Sequence, residues 1–236
     1  MFNVPRSAFG VQRFPMFPPP SLECRLLPAH DAADLASVTR AFGRAPAAEL
    51  RQAWLPQPQA ELQPGRVRVG RSADALLVLA ELTDHDIHNR STKLNDETFL
   101  LGDAFEMFLR PERQPAYVEF HVTPDNVKLQ LRFPDESAIF GPPEKRKHFS
   151  SYMIGHEVFT SRVWVEPAQK RWTVLASIPA AAVYTQPVPL AGEAWRFSFS
   201  RYDYTRGAQQ PVLSSTSPHA QCGFHRQPEW GTLRFM

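Results

Sequence analysis

From about residue 66 onwards, hydrophobic and polar residues alternate in short runs. A period of two is typical of β-strands that bury one face, and turn residues such as the PDN at 124–126 separate the runs. Helix-like spacing is rare in this part of the chain. The alternation predicts strands at Arg66–Gly70, Ala75–Leu82, Ala104–Arg110, Tyr117–Thr123, Val127–Phe133, Ser161–Glu166, Trp172–Ile178, Trp195–Tyr202 and Gly231–Phe235.

Successive short strands without helices between them favour antiparallel sheets packed face to face. We therefore predict an all-β fold, an antiparallel β-sandwich with an immunoglobulin-like or jelly-roll-like two-sheet architecture. A short N-terminal helix is predicted over Asp31–Phe42, where an Asp can cap the first turn and Leu35 and Val38 share one side. We expect residues 45–236 to form the sandwich and residues 1–44 to form an N-terminal extension that carries the helix.

Two glutamates interrupt otherwise apolar strands. Alternation places Glu106 on the same face as Phe108, and Glu119 on the same face as His121. This face could be an ordinary solvated sheet surface, the floor of a binding site, or the carboxylate pair of a glycosidase. Glu106 fits the solvated surface less well, because an apolar ring shares its face.

The strand that follows has polar residues at every second position. Lys128, Gln130 and Arg132 are expected to stand beside Glu119 and make a face of mixed charge that pairs across strands. On this interpretation Glu119 is a structural partner of Lys128 or Arg132, and Glu106 is the better candidate for function.

The composition and the missing motifs argue against several classes of binding partner and of catalytic chemistry. With 26 Lys+Arg against 24 Asp+Glu, the net charge of +2 gives no broad field for nucleic acid or anionic lipid. No apolar run is long enough to predict a membrane span. Motifs such as GxSxG, CxxC and HExxH are absent, and we predict that the protein is not an enzyme. Cys24 and Cys222 leave two alternatives open, one disulfide or two buried free thiols.

The stretch LTDHDIH at 82–88 crowds acidic and imidazole groups after a strand. Asp84 and Asp86 are the candidate ligands for a divalent cation, with His85 and His88 nearby. The alternative is a polar turn in which the Asp side chains cap the backbone.

Six stretches, in order, resemble a known family. They are LLVLAELTDHDI (76–87), GDAFEMFLRP (102–111), YVEFHVTPD (117–125), WTVLASIP (172–179), WRFSFSRYDY (195–204), and LSSTSP with GFHRQPEWGTLRF (213–218 and 223–235). In this order and spacing the chain resembles the family 9 carbohydrate-binding module-like domains. These belong to a wider DOMON-like superfamily of β-sandwiches that bind sugars or haem.

The resemblance implies a set of ligand-binding positions. Sugar-binding members hold the ring between two tryptophans, where this chain has Phe99 with Leu100 and, further on, Phe224. Glu106 matches an acidic residue that receives sugar hydroxyls, His121 stands where those members carry an arginine, and Arg201 or Ser200 falls near a polar ligand residue. The predicted ligand-binding residues are thus Glu106, His121, Arg201, Phe224 and Phe99.

By this resemblance the chain is a non-catalytic carbohydrate-binding protein with a saccharide partner and no required cofactor, supporting carbohydrate catabolism beside separate glycoside hydrolases. One alternative is a protein-interaction or structural sandwich without a sugar site. The other is a haem-binding redox module, for which Met107, Met153 and His121 are the candidate ligands. Family members are usually exported, whereas prolines interrupt the N-terminal stretch where a signal peptide needs a continuous apolar segment.

Overall fold

The computed structural model describes residues 17–185 and 189–236. Residues 1–16, the first part of the predicted extension and most of its proline-interrupted stretch, lie outside the described residues. The strands are β1 Ser21–Cys24, β2 Ala47–Glu49, β3 Gly65–Arg71, β4 Ala75–Thr83, β5 Ala104–Pro111, β6 Tyr117–Val122, β7 Lys128–Phe133, β8 Thr160–Glu166, β9 Arg171–Pro179, β10 Ala194–Asp203, β11 Val212–Ser215 and β12 Gly231–Phe235.

Two sheets pack face to face, which confirms the predicted β-sandwich. The larger sheet has the order β1-β12-β10-β5-β6-β7, with β11 also paired to β10, and the smaller sheet has the order β2-β3-β4-β9-β8. Every pairing is antiparallel except that of β1 with β12, which is parallel. Strand β1, at residues 21–24, lies within the predicted extension but forms the edge strand of the larger sheet.

Helical segments are short. The α-helices are α1 Leu35–Ala41, α2 Ser137–Phe140 and α3 Ala180–Val183, and 3-10 turns occur at Thr98–Leu100, Pro143–Lys145, Phe149–Tyr152, Pro167–Gln169 and Gln227–Glu229. Helix α1 confirms the predicted N-terminal helix, although Asp34 is the residue whose carboxylate caps the first turn. In the described ranges, no helix has the length and apolar character needed to cross a membrane.

Three apolar layers hold the sandwich together. The core between the sheets contains Phe105, Met107 and Leu109 of β5. On the outside of the smaller sheet, Val38 and Phe42 from the α1 segment cover strands β4 and β9. The outer face of the larger sheet is covered by side chains from residues 134–153 and 213–230. Burial of apolar area on this scale is the main stabilising term for such a fold.

That third layer changes the interpretation of the face that carries Glu106. Glu119 and His121 are buried, so this face is not a solvated surface. Leu129, Leu131 and Phe133 of β7 share it, because Glu119 pairs with Leu131 and His121 with Leu129. The expectation that Lys128, Gln130 and Arg132 stand beside Glu119 is therefore wrong.

The turn between β6 and β7 explains the error. Thr123 N–H donates to the Val127 carbonyl, and Asn126 takes a left-handed conformation with φ of 60°. This turn pairs Val122 with Lys128, and a register shifted by one residue would exchange the faces of β7. Lys128 instead binds Glu157 on the other side of the sheet, at 2.7 Å.

Candidate functional site

Three buried ionisable side chains meet on the outer face of the larger sheet. Glu106 of β5 lies directly opposite His121 of β6, and Glu119 is two residues before His121, on the same face. His121 Nε2 is 2.6 Å from Glu119 Oε1 and 3.3 Å from Glu106 Oε1. We call Glu106, Glu119 and His121 the outer charged group. It joins two of the predicted ligand residues with a glutamate that was expected to be structural.

The neighbours of this group indicate where its protons reside. His121 Nδ1 lies 2.9 Å from Thr98 Oγ1, so a protonated His121 can donate from both nitrogens, to Thr98 and to Glu119. The Tyr117 hydroxyl lies 2.9 Å from His225 Nδ1, which accepts from it if the proton of a neutral His225 sits on Nε2. That Nε2 is 3.5 Å from Glu119 Oε2.

Charge in the outer group is divided unequally. Burial raises the pKa of Glu106 to about 8, with the Glu119 charge adding to the rise and the His121 charge opposing it. Burial also opposes ionisation of Glu119, but the neighbouring His225 imidazole and the hydrogen bond from His121 outweigh it and lower the pKa of Glu119. Near neutral pH the arrangement is an imidazolium–carboxylate pair beside a protonated Glu106.

Aromatic rings cover the outer group. The Phe99 ring lies 5.9 Å from the His121 ring and 5.9 Å from the Tyr202 ring, and Tyr202 lies 5.9 Å from Phe224. Trp54 adds a tilted contact with Phe224 at 6.2 Å. The structure thus brings Phe99 and Phe224, the two positions that replace the tryptophan clamp, to either side of one tyrosine.

Access to the carboxylates is closed in this arrangement. Glu106 is only 2% exposed, and Phe99 and Phe224 are buried, whereas Tyr202 and Trp54 are partly exposed. Because Glu106 is buried, a ligand would contact its carboxyl only after displacement of a covering side chain. Once open, the site offers what sugars require: ring faces for C–H surfaces and a carboxyl, an imidazole and hydroxyls for hydrogen bonds.

Arg201 does not lie with the other predicted ligand residues. It is paired with Phe105 on β5 and points to the inner face of the larger sheet, opposite to Glu106. The Arg201 side chain is 1% exposed and donates to the Thr83 carbonyl at 2.6 Å and to Asp84 at 2.9 Å. The grouping of Arg201 with Glu106 is therefore wrong. Ser200, the alternative, is the β10 residue that pairs with Glu106.

Around Arg201 lies a second buried group, which we call the inner charged group: Arg201, Asp84, Asp103 and Asp203. Arg201 Nη2 is 3.2 Å from Asp203, and the three carboxylates lie within 4.8 Å of one another. Burial, followed by the charge of Asp84, raises the pKa of Asp103 to about 8, and burial raises that of Asp203 to about 6. The guanidinium already supplies a positive charge to these carboxylates.

The two candidate metal ligands have separate environments. Asp84 accepts from Trp172 Nε1 at 3.1 Å and belongs to the inner charged group. Asp86 instead accepts the backbone N–H of Arg206 at 2.6 Å and forms an ion pair with its guanidinium. Asp84 also accepts the backbone N–H of Asp86 at 2.9 Å, which is the capped polar turn given above as the alternative.

The candidate haem ligands are also separated. Met107 is buried between the sheets, whereas His121 and Met153 contribute to the outer side of the larger sheet. Cys24 and Cys222 are both free thiols, and only Cys24 is buried. Sequence reasoning missed Thr98, Tyr202 and His225, although the last two stand inside stretches that resemble the family.

Solved structures share this architecture. A protein from Bacteroides uniformis, provisionally named as carbohydrate-binding, matches with a TM-score of 0.71 at 16% identity, over 92% of this chain and 99% of that one. A family 9 carbohydrate-binding module from Caldicellulosiruptor kristjanssonii matches in complex with cellotriose (TM-score 0.58, 15% identity, 91% and 93% coverage) and with glucose (0.59, 14%, 92% and 95%). The chain has a family 9-like fold.

At these identities the likeness concerns the fold. No protein-family model and no curated protein matches the sequence. Glu106 and His121 converge because β5 and β6 are neighbours in the larger sheet, and the segments that carry Phe99 and Phe224 pack on the outer face of that sheet.

Proposed function

We propose that this protein is a non-catalytic carbohydrate-binding protein that takes a saccharide on the outer face of the larger sheet, above Glu106 and His121. The observation that carries the proposal is the outer charged group, with hydrogen-bonding side chains beneath the rings of Phe99, Tyr202 and Phe224. Two neighbours of the same fold are named as complexes with cellotriose and glucose, which supports a sugar as the ligand class.

Binding follows from the chemistry of the group. A moving Tyr202 ring exposes Glu106 and leaves Phe99 and Phe224 as apolar walls. The sugar C–H faces stack on these rings, while hydroxyls bond to Glu106 and to the imidazole. The pair of glutamates serves binding rather than hydrolysis, because His121 bridges them and neutralises Glu119. The proposal includes a role for the protein in carbohydrate catabolism. It also includes membership of the DOMON-like superfamily.

Titration calorimetry with glucose and cellotriose tests this function. We expect binding, and we expect Glu106→Ala to weaken it by up to about tenfold, since a hydrogen bond between neutral groups contributes roughly 0.5–1.5 kcal/mol. Glu166→Ala is the matched control, because Glu166 pairs with Arg171 on the smaller sheet. If the two variants bind these sugars with equal affinity, Glu106 is not part of the binding site.

The second candidate function is a protein-interaction or structural sandwich, and the burial of the outer charged group favours it. In that case the outer charged group only stabilises the fold beneath the loops that cover it. Absence of binding by glucose, cellotriose and a wider glycan array would support this alternative over the sugar site.

A further inference from the structure

An open cavity lies at the other end of the same outer face. It has a volume of about 890 Å³, within the range of ligand sites. Alternate residues of β5 lead to it from Glu106 through Phe108 to Arg110, a distance of roughly 13 Å along the strand. The cavity is therefore separate from the outer charged group.

Two guanidinium groups stand side by side in this cavity. Arg110 of β5 is paired directly with Arg196 of β10. Like charges placed opposite each other on neighbouring strands destabilise a sheet. Burial, with the Arg196 charge adding to it, lowers the pKa of Arg110. A bound anion would remove this cost.

The charges of Glu112 and Glu136 oppose the fall in the pKa of Arg110, but in the described chain neither carboxylate forms a close ion pair with Arg110. Within residues 17–185 and 189–236, neither guanidinium forms an ion pair. Arg110 donates to the Gln114 carbonyl at 3.3 Å, and Arg196 donates to the Trp230 carbonyl and, at 3.4 Å, to Thr232. These acceptors are neutral, so both positive charges remain available to a ligand.

Two buried donors of the cavity have no acceptor in the described chain. Arg110 Nε is one, and Gln227 Nε2 is the other, on a residue that is 8% exposed. Buried donors usually have partners, and an unpaired one costs roughly 1–3 kcal/mol, which makes these two atoms an argument for a missing acceptor.

Carboxylates line the same cavity and limit what that acceptor can be. Glu112 and Glu136 are exposed, whereas Arg110 and Arg196 are partly buried, so the basic groups form the floor and the acidic groups the rim. Asp135 and Ser137 also line it. A simple polyanion would be repelled by this rim. A ligand with one anionic group and several hydroxyls would match both the basic floor and the acidic rim of the cavity.

An exposed ring adjoins the cavity. Phe140 is 55% exposed and lines a smaller neighbouring cavity of about 210 Å³, which shares Glu136 and Pro228 with the larger one. An exposed aromatic side chain offers a stacking surface for a second pyranose ring.

We propose that this cavity is a second ligand site, and that it takes the carboxylate of an acidic sugar, a uronic acid, between Arg110 and Arg196. Gln227 donates to the same anion or to a neighbouring hydroxyl, Glu112 and Glu136 accept further hydroxyls, and Phe140 receives the adjoining residue of a longer chain. The site differs from that above Glu106 in its residues and in the charge of its ligand.

Calorimetry with glucuronic acid, glucose and inorganic sulfate on the whole protein tests the site. We expect glucuronic acid to bind more tightly than glucose in the wild type, and Arg110→Gln to weaken it about tenfold or more while Arg110→Lys weakens it less. Glu166→Ala, on the smaller sheet, should leave glucuronic acid binding unchanged, whereas Glu106→Ala should weaken glucose binding and Arg110→Gln should not, so failure here and failure of the proposed sugar site are distinguishable. Absence of glucuronic acid binding, or equal binding by Arg110→Gln, would overturn the inference, as would tight sulfate binding alone.

The melting temperature of the unliganded protein separates a binding role from a structural one. If the arginine pair serves a ligand, Arg110→Gln relieves repulsion and leaves the melting temperature unchanged or raises it. A lowered melting temperature, together with unchanged glucuronic acid affinity, would show that Arg110 stabilises the fold instead.

Discussion

The larger sheet carries a buried charged group on each face, and the two groups differ in the source of their positive charge. The inner charged group contains Arg201, which joins the end of β4 to β10 and keeps its charge at all pH values of interest. The outer charged group contains His121, which can lose its charge. The two groups also differ in position, since the inner group connects the two sheets and the outer group lies beneath aromatic rings on one of them.

The largest expected effect comes from removing the fixed charge. Arg201→Met leaves Asp84 and Asp203 buried without their cation and deletes a contact between the sheets. We expect the free energy of unfolding to fall by about 3–5 kcal/mol, the usual cost of breaking a buried ion pair on one side. Urea denaturation at pH 7 measures it. A loss below about 1 kcal/mol would mean that the inner group is not a structural connection.

A smaller effect, and one that depends on pH, is expected from the outer group. Glu106 has a pKa of about 8 in the folded protein, against an ordinary value of 4.5. Between these values the folded state keeps a proton that the unfolded state releases, so this residue lowers stability progressively as pH rises. Glu106→Gln keeps the shape of the protonated acid and removes that penalty.

Thermal unfolding of wild type and Glu106→Gln at pH 5 and 8.5 therefore distinguishes the two states of the outer group. We expect the variant to gain several degrees relative to wild type at pH 8.5 and little at pH 5, since about 1 kcal/mol corresponds to roughly 2–4 °C in a chain of this size. Glu166→Gln, on the edge strand β8 of the smaller sheet, should show no such growth. A difference that stays constant with pH would contradict a protonated Glu106.

The contrast also shows what could be predicted from sequence. Alternation along one strand is local, so it placed Glu106 with Phe108 correctly. The same alternation puts Arg201 in step with Phe197 and Phe199, both in the core between the sheets, and this signal could have separated Arg201 from Glu106. The family resemblance instead groups Arg201 with Glu106, against the period, and the structure agrees with the period.

Other features depend on contacts that the sequence pattern does not contain. The faces of β7 depend on the turn at Asn126, where one residue decides the register. Glu119 lies beside His225, which comes from a loop about a hundred residues later in the chain. The parallel pairing of β1 with β12 joins the two ends of the described chain. Such contacts are tertiary, and local propensity does not report them.

The smallest expected effect tests whether burial, rather than the ion pair itself, makes Arg201 important. Arg206 pairs with Asp86 as Arg201 pairs with Asp84, but the Arg206 side chain is 65% exposed. Water screens such a pair, and exposed pairs contribute about 0.2–1 kcal/mol. We expect Arg206→Met to lower the free energy of unfolding by no more than that, and less at high salt, when measured by the same urea titration as Arg201→Met. In Arg206→Met the backbone N–H of residue 206 still donates to Asp86, so the turn is retained. Equal losses in the two variants would show that both arginines act through loop geometry, and the distinction between a fixed buried charge and a solvated one would fail.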